Sequence, residues 1–319
     1  MRIVFFGTPV FAVPALEHLL AAGEEVVTAV TQPDRPRGRG HHLQPSPLKT
    51  AALAHGIPVL QPEGASDPAF ASALAACGAD LGVVAAYGKI LPDPILHTPR
   101  HGTINVHASL LPSYRGAAPV HRAIIAGERE TGITMIRLVR EMDAGPMLAR
   151  AVRPIADDET SEVVDRALAQ IGAGLLVSTV REIAAGRVTE QPQDHTLATL
   201  APRLTKEDGR IDWTLPARAI HNLVRGLHPW PHAFSFLNTS RYLILRTRVA
   251  ATPGLEPGSP PGAVVEAEAD RLRVACGENT ILAIHELQPE GRRRLPARAF
   301  LAGHPIELPA ILRPFPTTG

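Results

Sequence analysis

The apolar pattern of this chain changes character once, and that change limits what it can fold into. Over the first 185 residues, short apolar runs alternate with helix-period stretches. Ile3 to Phe6 predicts a buried strand, Phe11 to Ala22 a helix closed by Gly23, and Val26 to Thr31 a second strand. Ser46-Pro47 and Asp67-Pro68 each put a capping side chain before a proline, whose φ is already helical and whose missing N–H costs nothing there. Helices are expected to start at both. Further strands are expected at Leu81 to Ala86, Ile104 to His107 and Ile133 to Leu138, and a long helix from about Ser161 to Ala185. Such alternation predicts a parallel, doubly wound α/β sheet.

A polar stretch, Gln191 to Glu207, reads as a linker. Beyond it the pattern becomes short β-type runs at Tyr242 to Val249, Ala263 to Glu266, Leu272 to Ala275 and Thr280 to Leu287. Turn pairs such as Pro257-Gly258 and Pro261-Gly262 punctuate them, so a small barrel or sandwich is expected. The chain has 319 residues, more than one core usually holds. The expected division is a domain over 1–189, a linker over 190–208 and a second domain over 209–319.

Charge narrows the partners. Net charge is +1, from 32 Lys plus Arg against 31 Asp plus Glu, which excludes a protein that coats nucleic acid. The balance is uneven: residues 1–208 sum to −3 and residues 209–319 to +4. Cys77 and Cys276 are the only cysteines and lie far apart, so neither a disulfide framework nor a cysteine metal cluster is available. With no signal-peptide architecture and no long uncharged apolar run, a soluble cytoplasmic protein without membrane or metal is expected.

Five segments are candidates for chemistry. Gly7-Thr8-Pro9 follows the first strand where a dinucleotide-binding protein needs G-x-G-x-x-G, and only one of those glycines is present. Asn105 and His107 alternate onto one face of a strand, and Ser109, Leu110, Leu111 and Pro112 leave its carboxyl end, where open α/β sheets bind ligands. Their amide and imidazole could both reach a developing oxyanion; a structural histidine at a strand end is the plainer alternative. Asp143-Ala144-Gly145 is a turn in which Asp143 either caps its own backbone or is brought beside His107 at the same sheet edge. The loop Gln32 to His42 holds Arg35, Arg37 and Arg39 among glycines and prolines, suited to phosphate contacts or simply solvated. Arg292, Arg293 and Arg294 pose the same choice.

Asn105-x-His107-x-Ser109-Leu110-Leu111-Pro112, then Arg115-Gly-Ala-Ala-Pro119 and Asp143-x-Gly145, resembles the 10-formyltetrahydrofolate-dependent formyltransferases. Gln32-Pro-Asp-Arg-Pro36, Val84-Ala-Ala-Tyr-Gly88, Ile211-Asp-Trp213, Asn222 with Arg225, Pro229-Trp-Pro231 and Leu287 to Arg294 fit the branch of that family acting on a charged tRNA. The resemblance implies a Rossmann-like N-terminal domain and an OB-like C-terminal barrel. It implies a catalytic triad of Asn105, His107 and Asp143. The folate site would be Ser109 to Pro112 with Ala86, Tyr87 and Gly88, and the tRNA contacts Arg35, Arg37, Arg39, Arg292 and Arg293. The implied reaction passes formyl from 10-formyltetrahydrofolate to the α-amine of methionyl initiator tRNA, in a monomer. His41 and His42 stand where relatives often carry lysines. Rival readings are a sibling acting on an amino-sugar nucleotide or a glycinamide ribotide, a formyltetrahydrofolate hydrolase, a nucleotide-binding oxidoreductase, and a non-catalytic RNA-binding module.

Overall fold

The computed structural model describes residues 1–37, 42–251 and 258–317. The chain forms two compact units: Met1–Pro119, Glu130–Pro154 and Asp165–Pro202 make the first, and Val120–Arg129, Ile155–Val164 and Arg203–Gly319 the second.

Strands of the first unit are β1 (Arg2–Gly7), β2 (Glu25–Val30), β3 (Arg35–Arg37), β4 (His42–Gln44), β5 (Val59–Leu60), β6 (Leu81–Ala85), β7 (Thr103–His107), β8 (Arg115–Gly116), β9 (Glu130–Arg137), β10 (Met147–Pro154) and β11 (Leu200–Ala201). Helices along this stretch are α1 (Val13–Ala21), α2 (Pro47–Ala54), α3 (Pro68–Ala76), α4 (Asp93–Leu96), α5 (Pro119–Ala126) and α6 (Ser161–Ala184). The main sheet runs β10-β9-β7-β6-β1-β2-β5. Central β1 buries Ile3, Val4, Phe5 and Phe6 completely, as a strand covered on both faces must. Both expected helix starts form: Ser46 Oγ accepts from Lys49 N at 3.0 Å, and Asp67 Oδ1 from Ala69 N at 2.9 Å.

The sheet is parallel from β7 through β5, while β9 is antiparallel to both β7 and β10. Only β9 runs against the rest; it joins β10 through the short 138–146 connection, as an antiparallel pair permits. Register pairs Ile104 with Arg137 and His107 with Thr134, so β9 ends beside the start of β7. The connection after it must double back to reach the carboxyl end of β7. Helix α6 covers the other face: a Cβ on Gly172 would lie 3.0 Å from Val106 Cγ1. Val106 therefore faces α6, and alternation turns Asn105 and His107 away from it. Among the described helices α6 alone is long and apolar enough to cross a membrane; its Leu168, Ala173, Leu176 and Val180 are buried in the fold.

Strands of the second unit are β12 (Ala233–Leu237), β13 (Ser240–Ala250), β14 (Val264–Glu268), β15 (Arg271–Cys276), β16 (Thr280–Pro289), β17 (Leu295–Pro296) and β18 (Leu312–Arg313), with helices α7 (Ala217–Gly226) and α8 (Ala297–Gly303). Their order is β14-β15-β16-β13-β12-β18. Leu312 N donates to Gly262 O and Val264 N to Ala310 O, both at 2.8 Å, which closes the sheet into a barrel. Ile244, Leu272, Val274, Leu282, Ile284 and Leu287 fill it, with Ile220 and Val224 of α7 and Phe300 of α8. The barrel follows the predicted strands; the two helices have no counterpart among them. Buried Asn222 and Arg225 serve this unit's structure: Arg225 donates to Asn222 Oδ1 at 2.9 Å and to the carbonyl oxygens of Ala156 and Glu159.

Candidate active site

β7 presents Asn105, half-buried, and His107, only 5% exposed. His107 Nε2 lies 3.0 Å from the carbonyl oxygen of Tyr114. A carbonyl only accepts, so Nε2 carries the proton and Nδ1 is left facing outward from that bond. Nδ1 sits 3.7 Å from Asp143 Oδ1, too long for a hydrogen bond and short enough for an ion pair once the ring is protonated. The amide of Asn105 makes no hydrogen bond among the described residues, although it lies on the same face as His107.

Asp143 arrives by the return of the 138–146 connection rather than from an adjoining parallel strand end. The turn is tight. Asp143 adopts φ +52°, in the left-handed region where Asp is among the better tolerated side chains. A Cβ on Gly145 would collide with the carbonyl oxygen of Arg137. Asp143 Oδ2 accepts from Gly116 N at 2.9 Å, which leaves Oδ1 on the His107 side.

The Ser109–Pro112 loop divides by burial. Ser109 and Leu111 are buried, whereas Leu110 and Pro112 are half-exposed. Thr134 Oγ1 ties the loop to β9, donating to Ser109 O at 2.7 Å and accepting from Leu111 N at 3.1 Å. Ser109 Oγ donates to Ser113 O at 2.7 Å. After β6, the positions Ala86 and Gly88 are exposed and both have positive φ, while the Tyr87 ring is buried edge-on to Phe6. Tyr87 thus turns only backbone to the site, and its carbonyl accepts from Gln32 Nε2 at 2.9 Å and Thr8 Oγ1 at 3.1 Å. Burial pushes the Tyr87 phenol pKa up.

Sequence reasoning missed Gln193, which lies in the stretch expected to be a linker. It is 5% exposed, and its Nε2 donates to the carbonyl oxygens of Asp143 at 2.8 Å and Gly145 at 2.7 Å. Its Oε1 accepts from Arg115 Nη2 at 2.7 Å and Nε at 3.2 Å. Downstream, β11 pairs with β8, and Thr199 Oγ1 accepts from Tyr114 N at 2.9 Å. Polarity and lack of periodicity hid this segment; its order comes from contacts far apart in sequence.

Arg35 is exposed on the β3–β4 hairpin. Arg39 and His41 lie outside the described residues, as do the side chains of Arg37 and His42. Arg292 and Arg293 are exposed on the turn between β16 and β17. β13 adds Arg246 and Arg248, also exposed and in no ion pair among the described residues.

The formyl transferase family model matches residues 1–180, and that of the formyl transferase C-terminal domain matches 203–305. The methionyl-tRNA formyltransferase of Citrifermentans bemidjiense is 46% identical over 307 residues, covering 96% of this chain and 95% of the relative. That of Thiobacillus denitrificans is 48% identical over 306 residues, covering 96% and 97%. Among solved structures, the N-formyltransferase from Helicobacter canadensis in complex with folinic acid and dTDP-3-aminofucose aligns with a TM-score of 0.65 at 16% identity, over 91% of this chain and 99% of that one. Glycinamide ribonucleotide transformylase 1 from Symbiobacterium toebii aligns with a TM-score of 0.51 at 22% identity, over 61% and 94%. At those identities the two structures share the fold with this chain.

Proposed function

This chain belongs to the formyl transferase family, and on that premise we propose that it passes a formyl group from a folate carrier to the α-amine of methionyl-tRNA. The observation that carries the reading is the pair of near-full-length methionyl-tRNA formyltransferases at 46% and 48% identity. The donor is 10-formyltetrahydrofolate and the acceptor the charged initiator tRNA. We read the protein as a cytoplasmic monomer.

The residues present fit a folate. A flat heterocycle with alternating donors and acceptors pairs well with backbone, and Ala86 and Gly88 expose backbone at the end of β6. Leu110 and Pro112 add half-exposed apolar surface from a loop held rigid by Thr134. The folate supplies the activated one-carbon unit; the protein positions it and handles charge and protons.

Attack of the amine on the formyl carbon makes a tetrahedral centre whose oxygen gains negative charge. Asn105 Nδ2, unpartnered among the described residues, donates to that oxygen. His107 is held with its Nε2 proton on Tyr114 O, which leaves Nδ1 and the Asp143 carboxylate to take the proton that the amine sheds. The imidazolium so formed is stabilised by Asp143 3.7 Å away. Return of that proton to the departing nitrogen of the folate completes the transfer.

Exposed Arg35, Arg292 and Arg293, with Arg39, are the tRNA contacts in this reading. Incubation with 10-formyltetrahydrofolate and methionyl initiator tRNA should give formyl-methionyl-tRNA. Turnover of an amino-sugar nucleotide in place of charged tRNA would move the assignment to the sugar branch.

A further inference from the structure

We propose that Gln193 is a positioning residue that holds Asp143 and, through Arg115, the segment aiming His107. This rests on the formyl-transfer reading above and goes beyond its triad.

The hydrogen-bonding capacity of the Gln193 amide is fully used. Its two N–H groups go to Asp143 O and Gly145 O, and its oxygen takes two N–H groups from Arg115. Carbonyls only accept and a guanidinium only donates, so the orientation of the amide is dictated by its partners. No other natural side chain of this length offers two donors and two acceptors. Glutamate would set oxygen against two carbonyl oxygens, and methionine would remove all four hydrogen bonds from a buried place.

The two carbonyls bracket the turn that carries Asp143 at positive φ. Arg115, on the other side of Gln193, adjoins the two groups that complete the site. Tyr114 O accepts a hydrogen bond from His107 Nε2, and Gly116 N donates to Asp143 Oδ2. Arg115 Nη2 also reaches His195 Nδ1 at 3.0 Å, and Arg115 N donates to Thr199 O at 2.8 Å. One side chain therefore joins the turn bearing the carboxylate to the segment orienting the imidazole, without a hydrogen bond to the Asp143 carboxylate or the His107 ring.

Steady-state formylation by Gln193→Glu and Gln193→Met, beside the wild type, tests this. Orienting groups one step removed from the reacting atoms typically contribute about 10- to 100-fold. The expected result is a kcat drop in that range with both KM values within about twofold of wild type, because only alignment is lost. A wild-type kcat in both variants overturns the proposal. So does loss of rate that tracks loss of folded protein. The ¹⁵N imidazole resonances of His107 give a readout independent of turnover, and should shift in Gln193→Glu. Unmoved resonances overturn the proposal even if the wild type formylates nothing, an outcome that would instead remove the functional reading.

Discussion

His107 donates its Nε2–H to the carbonyl oxygen of Tyr114, seven residues further along the chain. The tautomer of the imidazole is thus set by backbone, and Asp143 is left free to answer the charge on the opposite nitrogen. This separates two duties that a single carboxylate often performs together.

Replacing Asp143 with Asn should therefore leave the ring in place and still remove the rate. kcat is expected to fall about 10²- to 10⁴-fold, the usual range for a lost general acid–base group, and His107→Ala should match it. Folate binding, followed by fluorescence quenching, should persist in both. A variant that turns over within threefold of wild type would take its residue out of the mechanism.

Gly145→Ala probes the turn without touching a polar group. The added methyl meets the carbonyl oxygen of Arg137, which is backbone and cannot swing aside. Asp143 must shift, and a misplacement near 1 Å costs on the order of 10²-fold in rate. Retention of full kcat would show that the Asp143 position is less critical than its geometry implies.

Asp165 of α6 offers a pH signature for the fold. Burial pushes its carboxyl up from 3.8 to about 6. The folded state holds this proton more tightly than the unfolded chain, so its stability contribution is full below about pH 4. It is lost as pH rises toward 6, by ~3 kcal/mol at most. Asp165→Asn should therefore become progressively more stable than wild type across that window, read from urea midpoints at pH 4.5 and 7.5. An equal gap at both pH values would mean the carboxyl is solvated.

The proposed tRNA contacts are testable by salt. Charge neutralisation at phosphates gives a slope of log K against log salt that lessens by about one for each contact removed. Arg292→Ala with Arg293→Ala should flatten the slope for methionyl-tRNA and leave folate affinity unchanged. An identical slope would return that turn to a solvated surface.

The sequence made much of this legible, for physical reasons that differ by element. β1 and the proline-marked helices α2 and α3 were readable because each is specified locally, by an unbroken apolar run or by a cap followed by proline. Asn105 and His107 were readable because alternation along a strand fixes a common face. The antiparallel direction of β9 was not, since direction is set by how a connection closes and not by the strand's own residues. Gln193 was hidden for the converse reason: a polar residue in an aperiodic stretch acquires meaning only from Asp143 and Arg115, fifty and seventy-eight residues away. Tyr87, expected in the folate site, has its ring in the core beside Phe6, so that only its backbone is left for the proposed site.

The pairing of β11 with β8 bears on how this enzyme can be cut and rebuilt. Residues 181–202 fall between the two family models, where a chimera designer would place a junction. A fusion made at 189 would keep Asn105, His107 and Asp143 and discard Gln193, Thr199 and Ala201. A fusion made after Pro202 would keep them all. The same holds during synthesis: the proposed triad leaves the ribosome before the segment that hydrogen-bonds its turn, so a nascent chain paused before residue 193 carries Asn105, His107 and Asp143 without Gln193.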